Sequence, residues 1–214
     1  MTFRNYSFLD QCLSELQHFI KSVVLPAKNP SIETPAQNIS EHDLNENEKQ
    51  HVAGLMRVDH TGEICAQALY RGQAFVARNL DTKAHLHHAA EEEYNHLSWC
   101  ETRLEELEAR KSLLNPFWYI GSFTIGATAG FVSDKVSYGF VIETEKQVMS
   151  HLEKHLLELP MQDKKSKAIL IKMYEDEKEH ADQAKLAGGL ELPMWAKLIM
   201  KVQSRVMTTL AYRI

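Results

Sequence analysis

Cysteine is scarce in this chain. Cys12, Cys65 and Cys100 form no close pair, which excludes a disulfide framework and a Cys-x-x-Cys metal site and fits a reducing compartment. Proline is almost as rare: Pro26, Pro30 and Pro35 cluster, and Pro116, Pro160 and Pro193 stand alone. A surplus of positive charge is missing too, with 24 basic against 29 acidic side chains and a net charge of −5, so nothing in the overall balance suggests a nucleic-acid binder. No alternating apolar–polar run marks a strand. The start, MTFRNYSFLDQCLSELQHF, has acids in its first apolar stretch and lacks the unbroken apolar run and small-residue cleavage site of a secretory signal, so a cytoplasmic chain is expected.

What is present is helical. Proline costs about 3 kcal/mol inside a helix, so the long proline-free stretches can be helices and the Pro26–Pro35 region cannot. At 214 residues, 44% hydrophobic and 25% charged, one globular domain is expected. Residues 1–25 read as an amphipathic helix (Phe8, Leu9, Cys12, Leu13, Leu16, Phe19, Ile20 and Val23 on one face) that should pack on something apolar, and 26–46 as a proline-containing linker. The main domain, 47–214, is then a series of helices. The first two run to about Asn79 and Arg110 with a turn at Asn79–Asp81. A third covers Pro116–Leu159, with Gly121, Gly126, Gly130 and Gly139 able to bend or break it. The next runs from Asp163 to Leu186 and ends at Gly188–Gly189, and the last spans Pro193–Tyr212.

Two Glu-x-x-His pairs lie on these helices, Glu93/His96 and Glu177/His180. At i and i+3 both side chains share a face and can grip one metal ion. A single pair among 11 histidines is weak grounds, but both glutamates lie in apolar stripes, where a carboxylate is costly unless paired, protonated or metal-bound. Glu63 and Glu145 pose the same problem. Residue 78 lies midway between Glu63 and Glu93, and residue 161 midway between Glu145 and Glu177. Legs of fifteen or sixteen residues, about 22–24 Å at 1.5 Å each, therefore return each pair to one level. Two such hairpins supply four glutamates and two histidines, the donor set of a carboxylate-bridged di-iron or di-manganese centre in a helix bundle. Glu143 competes with Glu145, which has the more apolar neighbours. Asp59, one turn before Glu63, is either a surface acid or a group orienting a ligand histidine. His85, His87 and His88 read as a solvated cluster, and His18, His42 and His51 carry no functional expectation.

The strings RVDHTGEICAQALYRGQA (57–74), EEEYNHL (91–97), ETEKQVMSHLEKHL (143–156) and DEKEHA (176–181) closely resemble the demethoxyubiquinone hydroxylase family of ubiquinone biosynthesis, the bacterial form above all. The resemblance spans about residues 45–214. It implies an all-α fold, a ferritin-like four-helix bundle with a duplicated helical hairpin and two accessory helices. It also implies two Fe ions per chain held by Glu63, Glu93, His96, Glu145, Glu177 and His180, and a histidine important to activity at His151. A tyrosine that some members carry directly after that histidine is Leu152 here, so its role does not transfer.

A diferrous pair held by carboxylates and two nitrogens has open positions and can bind and reduce O2. By the resemblance, the substrate is a membrane-dissolved polyprenyl benzoquinol hydroxylated at its unsubstituted ring carbon. One oxygen atom enters the ring and the other leaves as water. Two electrons come from the quinol or from a reductant such as NADH, although no dinucleotide-binding glycine motif is present. Other ubiquinone-biosynthesis proteins are candidate partners. Residues 112–133 carry no charge across 22 positions, yet Asn115, Pro116 and the glycines make a poor membrane span; a buried or interfacial helix opening a path to the iron is expected. In the last helix Lys197, Lys201 and Arg205 oppose Trp195, Leu198, Ile199, Val202, Val206 and Leu210. That pattern suits either an anionic bilayer surface or a core helix with a basic outer face. The expected location is peripheral, on the cytoplasmic face of the inner (cell) membrane. A ferroxidase with the same ligands is the alternative; a manganese catalase and a non-catalytic helical module are further competitors.

Overall fold

The computed structural model describes residues 7–27, 30–40 and 43–214, and every regular element among them is helical. The first six residues of the N-terminal segment, and His42, lie outside the described residues. Helix α1 spans Phe8–Phe19 and runs into one π-helical turn, Ile20–Val24. It is followed by α2 (Glu46–Val76), α3 (Leu80–Glu106), α4 (Asn115–Val132), α5 (Asp134–Glu158), α6 (Lys164–Leu186) and α7 (Met194–Ala211).

Side-chain oxygens set most of the starts. Asn45 accepts from the backbone N–H groups of Asn47 and Glu48 while Glu48 accepts from that of Asn45, a reciprocal cap that satisfies donors the helix cannot. Asn79 caps α3, Ser133 caps α5 and Asp163 caps α6. Residues 78 and 161 both fall in the short connections α2–α3 and α5–α6, as the level-matching of the four glutamates requires. The stretch expected to bend or break at a glycine is broken at Ser133, whose extended backbone (φ −173°, ψ 160°) ends α4 as its hydroxyl starts α5.

The α4 glycines serve a different purpose. A Cβ on Gly126 would lie 2.0 Å from the carbonyl oxygen of Leu69, and one on Gly72 2.1 Å from that of Phe123, so α2 and α4 meet backbone to backbone. With small residues spent on that contact, the large ones Phe117, Ile120 and Phe131 point outward.

Helices α2, α3, α5 and α6 form the bundle. One apolar cluster, including Met56, Trp99, Leu152 and Met173, fills one end, and a second, including Tyr70, Leu86, Val141 and Ala184, fills the other. Each of the four helices carries its candidate ligands between its contributions to these two plugs, so the polar level is dry above and below. Arg103 adds a buried tie from α3 to the start of α6, donating to Asp163 and Ser166.

The outer segments differ from their sequence reading. The stretch after Pro26 is a strap across α3: Asn95 accepts from the Ser31 backbone N–H and hydroxyl, and the Trp99 indole donates to the Ile32 carbonyl. Helix α1 has no buried residue, and its Leu9, Leu13 and Leu16 are open to solvent. It is fastened by a two-pronged ion pair between Glu15 and Arg71 and by Phe8 against Phe75. Helix α7 also turns its apolar stripe outward, from Trp195 to Leu210, so it is not a core helix with a solvated basic face. Its end is pinned by His51 against the Tyr212 hydroxyl (2.7 Å) and by Arg57 donating to the Tyr212 carbonyl.

Replacing Gly126 by alanine should destabilise the fold by about 1–3 kcal/mol through backbone overpacking, read as a lower denaturant midpoint. A pH effect follows at α1. Burial, then the Arg71 charge, pushes His18 and His87 down to about 4. A histidine neutral when folded stabilises fully above its ordinary value near 6.5, and that contribution is lost as the pH falls from there towards 4. Protection factors of the α1 amides, with the intrinsic pH dependence of exchange divided out, should therefore fall over that window, and less so in a His18→Gln, His87→Gln double variant.

Candidate metal centre

Six side chains meet at the dry level. Glu63 from α2, Glu93 and His96 from α3 and Glu177 from α6 form one group; Glu93, Glu145 from α5, Glu177 and His180 from α6 form another. In each group one donor atom per residue lies within 4.8 Å of all the others, and every member is buried. Glu93 and Glu177 belong to both. Glu145, fully buried, is the α5 glutamate in the cluster, whereas Glu143 lies outside it, accepting from Gln147 and 3.9 Å from Lys197.

The donor atoms point the right way for metal. His96 Nδ1 is 3.1 Å from Glu93 and 3.2 Å from Glu177; His180 Nδ1 is 3.2 Å from each of the same two carboxylates. Neither oxygen of Glu145 makes a hydrogen bond of ordinary geometry, nor do Glu63 Oε2 and Glu93 Oε1, although all are buried. Buried oxygens left over by the protein's own donors, on acceptors converging with two imidazoles, fit a divalent cation pair.

The electrostatics follow from this crowding. Burial first, then the charge of Glu93, raises Glu63 well above the usual carboxylate range; burial, then Glu177, does the same to Glu145. Burial opposes ionisation of Glu93 as well, but hydrogen bonds from His180 and His96 outweigh it and hold this carboxyl low. The two imidazoles are raised: burial works against their charge, and the surrounding carboxylates overcome it. Four acids and two bases in one dry space are thus tolerable only with compensating positive charge, from protons or from metal.

Each ligand-type histidine is steadied from the opposite hairpin. His96 Nε2 meets Asp176 at 3.1 Å, and His180 Nε2 meets Glu92 at 3.2 Å. Orienting groups of this kind fix a ring's tautomer and direction. Sequence reasoning left Asp59 as either such a group or a surface acid; it is neither, being buried and paired with His155 at 2.8 Å. The missed signal is local: an acid directly precedes each motif glutamate, Glu92-Glu93 and Asp176-Glu177. Of the three histidines read as a solvated cluster, only His88 is exposed; His85 packs edge-on to Tyr138, and His87 lies half-buried near Arg71.

A cavity of about 140 Å³ opens between α2, α4, α5 and α7. Its lining includes Glu63, Asp59 and His151 together with the apolar Leu69, Trp118, Ile125, Phe140, Met200 and Met207. A cavity near 150 Å³ holds a benzene ring, so this one is ring-sized. His151 is outside the two donor groups; burial, then the neighbouring His155, lowers its basicity.

The family model described as "Ubiquinone biosynthesis protein COQ7" matches residues 50–211. The chain belongs to the COQ7 family. Relatives include a protein of Francisella philomiragia, 59% identical over 210 residues, and one of Francisella tularensis subsp. novicida, 60% identical over the same length. Both alignments cover 98% of this chain and 99% of the relative, and both relatives are named 3-demethoxyubiquinol 3-hydroxylase. The matched length takes in the N-terminal segment that lies before the family model's residues.

Loss of one orienting acid should act on one group first. Asp176→Asn is expected to weaken metal binding by His96's group about 10- to 100-fold, and Glu92→Gln that by His180's group, as read by competitive metal titration.

Proposed function

We propose that this chain is an O2-dependent monooxygenase that hydroxylates the ring of a polyprenyl methoxy-methyl-benzoquinol (demethoxyubiquinol) in ubiquinone biosynthesis. The observation that carries the reading is the ring-sized cavity ending at Glu63, one wall of the Glu/His cluster. The names of the full-length relatives support the same substrate class. Glu63, Glu93, His96, Glu145, Glu177 and His180 would hold two iron ions, and Glu93 and Glu177 belong to both donor groups. Bound iron supplies the activation of O2 that no protein side chain provides.

The protein's part is positioning and exclusion. The apolar plugs at either end of the bundle keep bulk water from the cluster, and Leu69, Trp118 and Ile125 clasp the ring. His151, neutral at pH 7 because of its burial, takes the proton that the ring carbon gives up as it gains a hydroxyl. Leu152 beside it has no hydroxyl to contribute. The stoichiometry needs two electrons, one oxygen atom entering the ring and the other leaving as water.

The tail explains the outer surface. Among the described residues no helix is long and apolar enough to cross a membrane. Helices α4 and α7 flank the cavity mouth and turn Phe117 and Ile120, and Trp195, Leu198, Ile199 and Val202, outward. Lys201 and Arg205 stand exposed beside that stripe. This face rests on the anionic inner membrane from the cytoplasmic side, and the polyprenyl tail passes between α4 and α7 into the lipid.

Anaerobic Fe(II) loading followed by a short-tailed demethoxyquinol and ¹⁸O2 tests the reading. The expected result is two irons per chain and a labelled ring hydroxyl; Glu177→Ala should lose both irons, and His151→Ala should keep iron but turn over more slowly. Iron that oxidises without labelling the ring would make the protein a ferroxidase.

A further inference from the structure

Asp59 divides its carboxylate between two environments. Oδ1 accepts from His155 Nδ1 at 2.8 Å, whereas Oδ2 is buried and has no hydrogen-bond partner. The residue lies on α2 one turn before Glu63 and lines the cavity that Glu63 borders. His155 lies on α5 one turn after His151 and is itself buried; burial opposes its charge, but the Asp59 carboxylate raises it. One oxygen of the pair is thus engaged, and the other is a buried acceptor left without a donor on a residue that lines the cavity.

The rest of the wall is less selective. Ser122, Thr144 and Gln147 can both donate and accept, and Glu63 is engaged in the Glu/His cluster. Asp59 is the one lining carboxylate outside that cluster, an acceptor with no proton to offer when ionised. A hydroquinone ring carries hydroxyl donors, while the corresponding quinone presents only carbonyl acceptors. Against Asp59 the oxidised ring sets acceptor to acceptor and leaves a buried oxygen without a donor.

We propose that Asp59 Oδ2 accepts a hydrogen bond from a ring hydroxyl of the bound quinol, with His155 as its positioning residue, and that this contact makes the cavity select the reduced ring over the quinone. The inference rests on the cavity being the quinol site. It predicts an inversion. In Asp59→Asn the amide oxygen takes the His155 N–H, which turns the amide NH2 towards the place of Oδ2. The cavity then offers a donor, which suits a quinone carbonyl.

The test measures binding by equilibrium dialysis without oxygen. The full chain carries redox-inert Zn(II) in its metal positions, and the probe is a short-tailed, fully ring-substituted benzoquinone in its quinol and quinone forms. The wild type should bind the quinol about 10- to 100-fold more tightly, the range of a hydrogen bond to a charged group. Asp59→Asn should favour the quinone at unchanged Zn(II) content. His155→Leu should lose the preference, and His155→Gln, which keeps an N–H for Oδ1, should retain it; this pair decides the matter if Asp59→Asn does not fold. Gly62→Phe serves as the control, because Gly62 lines the cavity and a Cβ there meets nothing within 4 Å. If Gly62→Phe abolishes binding but wild type and Asp59→Asn show the same quinol-to-quinone ratio, the selection proposal falls and the cavity reading stands. If Gly62→Phe leaves binding intact, the cavity reading falls and the proposal with it.

Discussion

Four carboxylates and two imidazoles share one dry level of a helix bundle, and the rest of the molecule is organised around that expense. Removing a single ion from water costs several kcal/mol even after relaxation, so such a level is tolerable only where opposite charges meet closely. Here each Nδ1 lies between Glu93 and Glu177, and each Nε2 is taken by an acid from the other hairpin. The apolar plugs above and below provide the cohesion that the polar level lacks. Capped helix starts at Asn45, Asn79, Ser133 and Asp163 keep the four legs in register, without which the six side chains would not meet.

Much of this was legible because helices are periodic and hairpins have midpoints. Spacing alone put Glu93 with His96 and Glu177 with His180, and the midpoints at 78 and 161 brought Glu63 and Glu145 to the same height. Apolar neighbours at helical offsets separated buried Glu145 from Glu143 at the edge. The pairing of Asp59 with His155 was not legible, since α2 and α5 belong to different hairpins and no local spacing relates them. The crosswise acids were hidden for a similar reason. An acid directly precedes each motif glutamate, but which histidine Glu92 and Asp176 meet is fixed only by the opposite hairpin.

Amphipathic pattern had a second limit. It showed that α1 and α7 each possess an apolar face, but a pattern cannot say what that face meets. In α7 it meets solvent, as do Leu9, Leu13 and Leu16 of α1, and in α4 Phe117 and Phe131 face out while Trp118 and Tyr119 are buried. Composition made 26–46 a non-helical linker, but it could not say that the segment lies down on α3, where Asn95 and Trp99 give it hydrogen bonds.

The duplicated hairpin makes two nearly equal half-sites, and the cavity removes their equality. Its wall contains Glu63 and not Glu145, so one half has become a front and the other a back. Under the proposed function, a quinol entering that cavity meets the front alone. The back half is joined to it through Glu93 and Glu177, the two carboxylates common to both groups, which makes this pair the link between an open face and a sealed one.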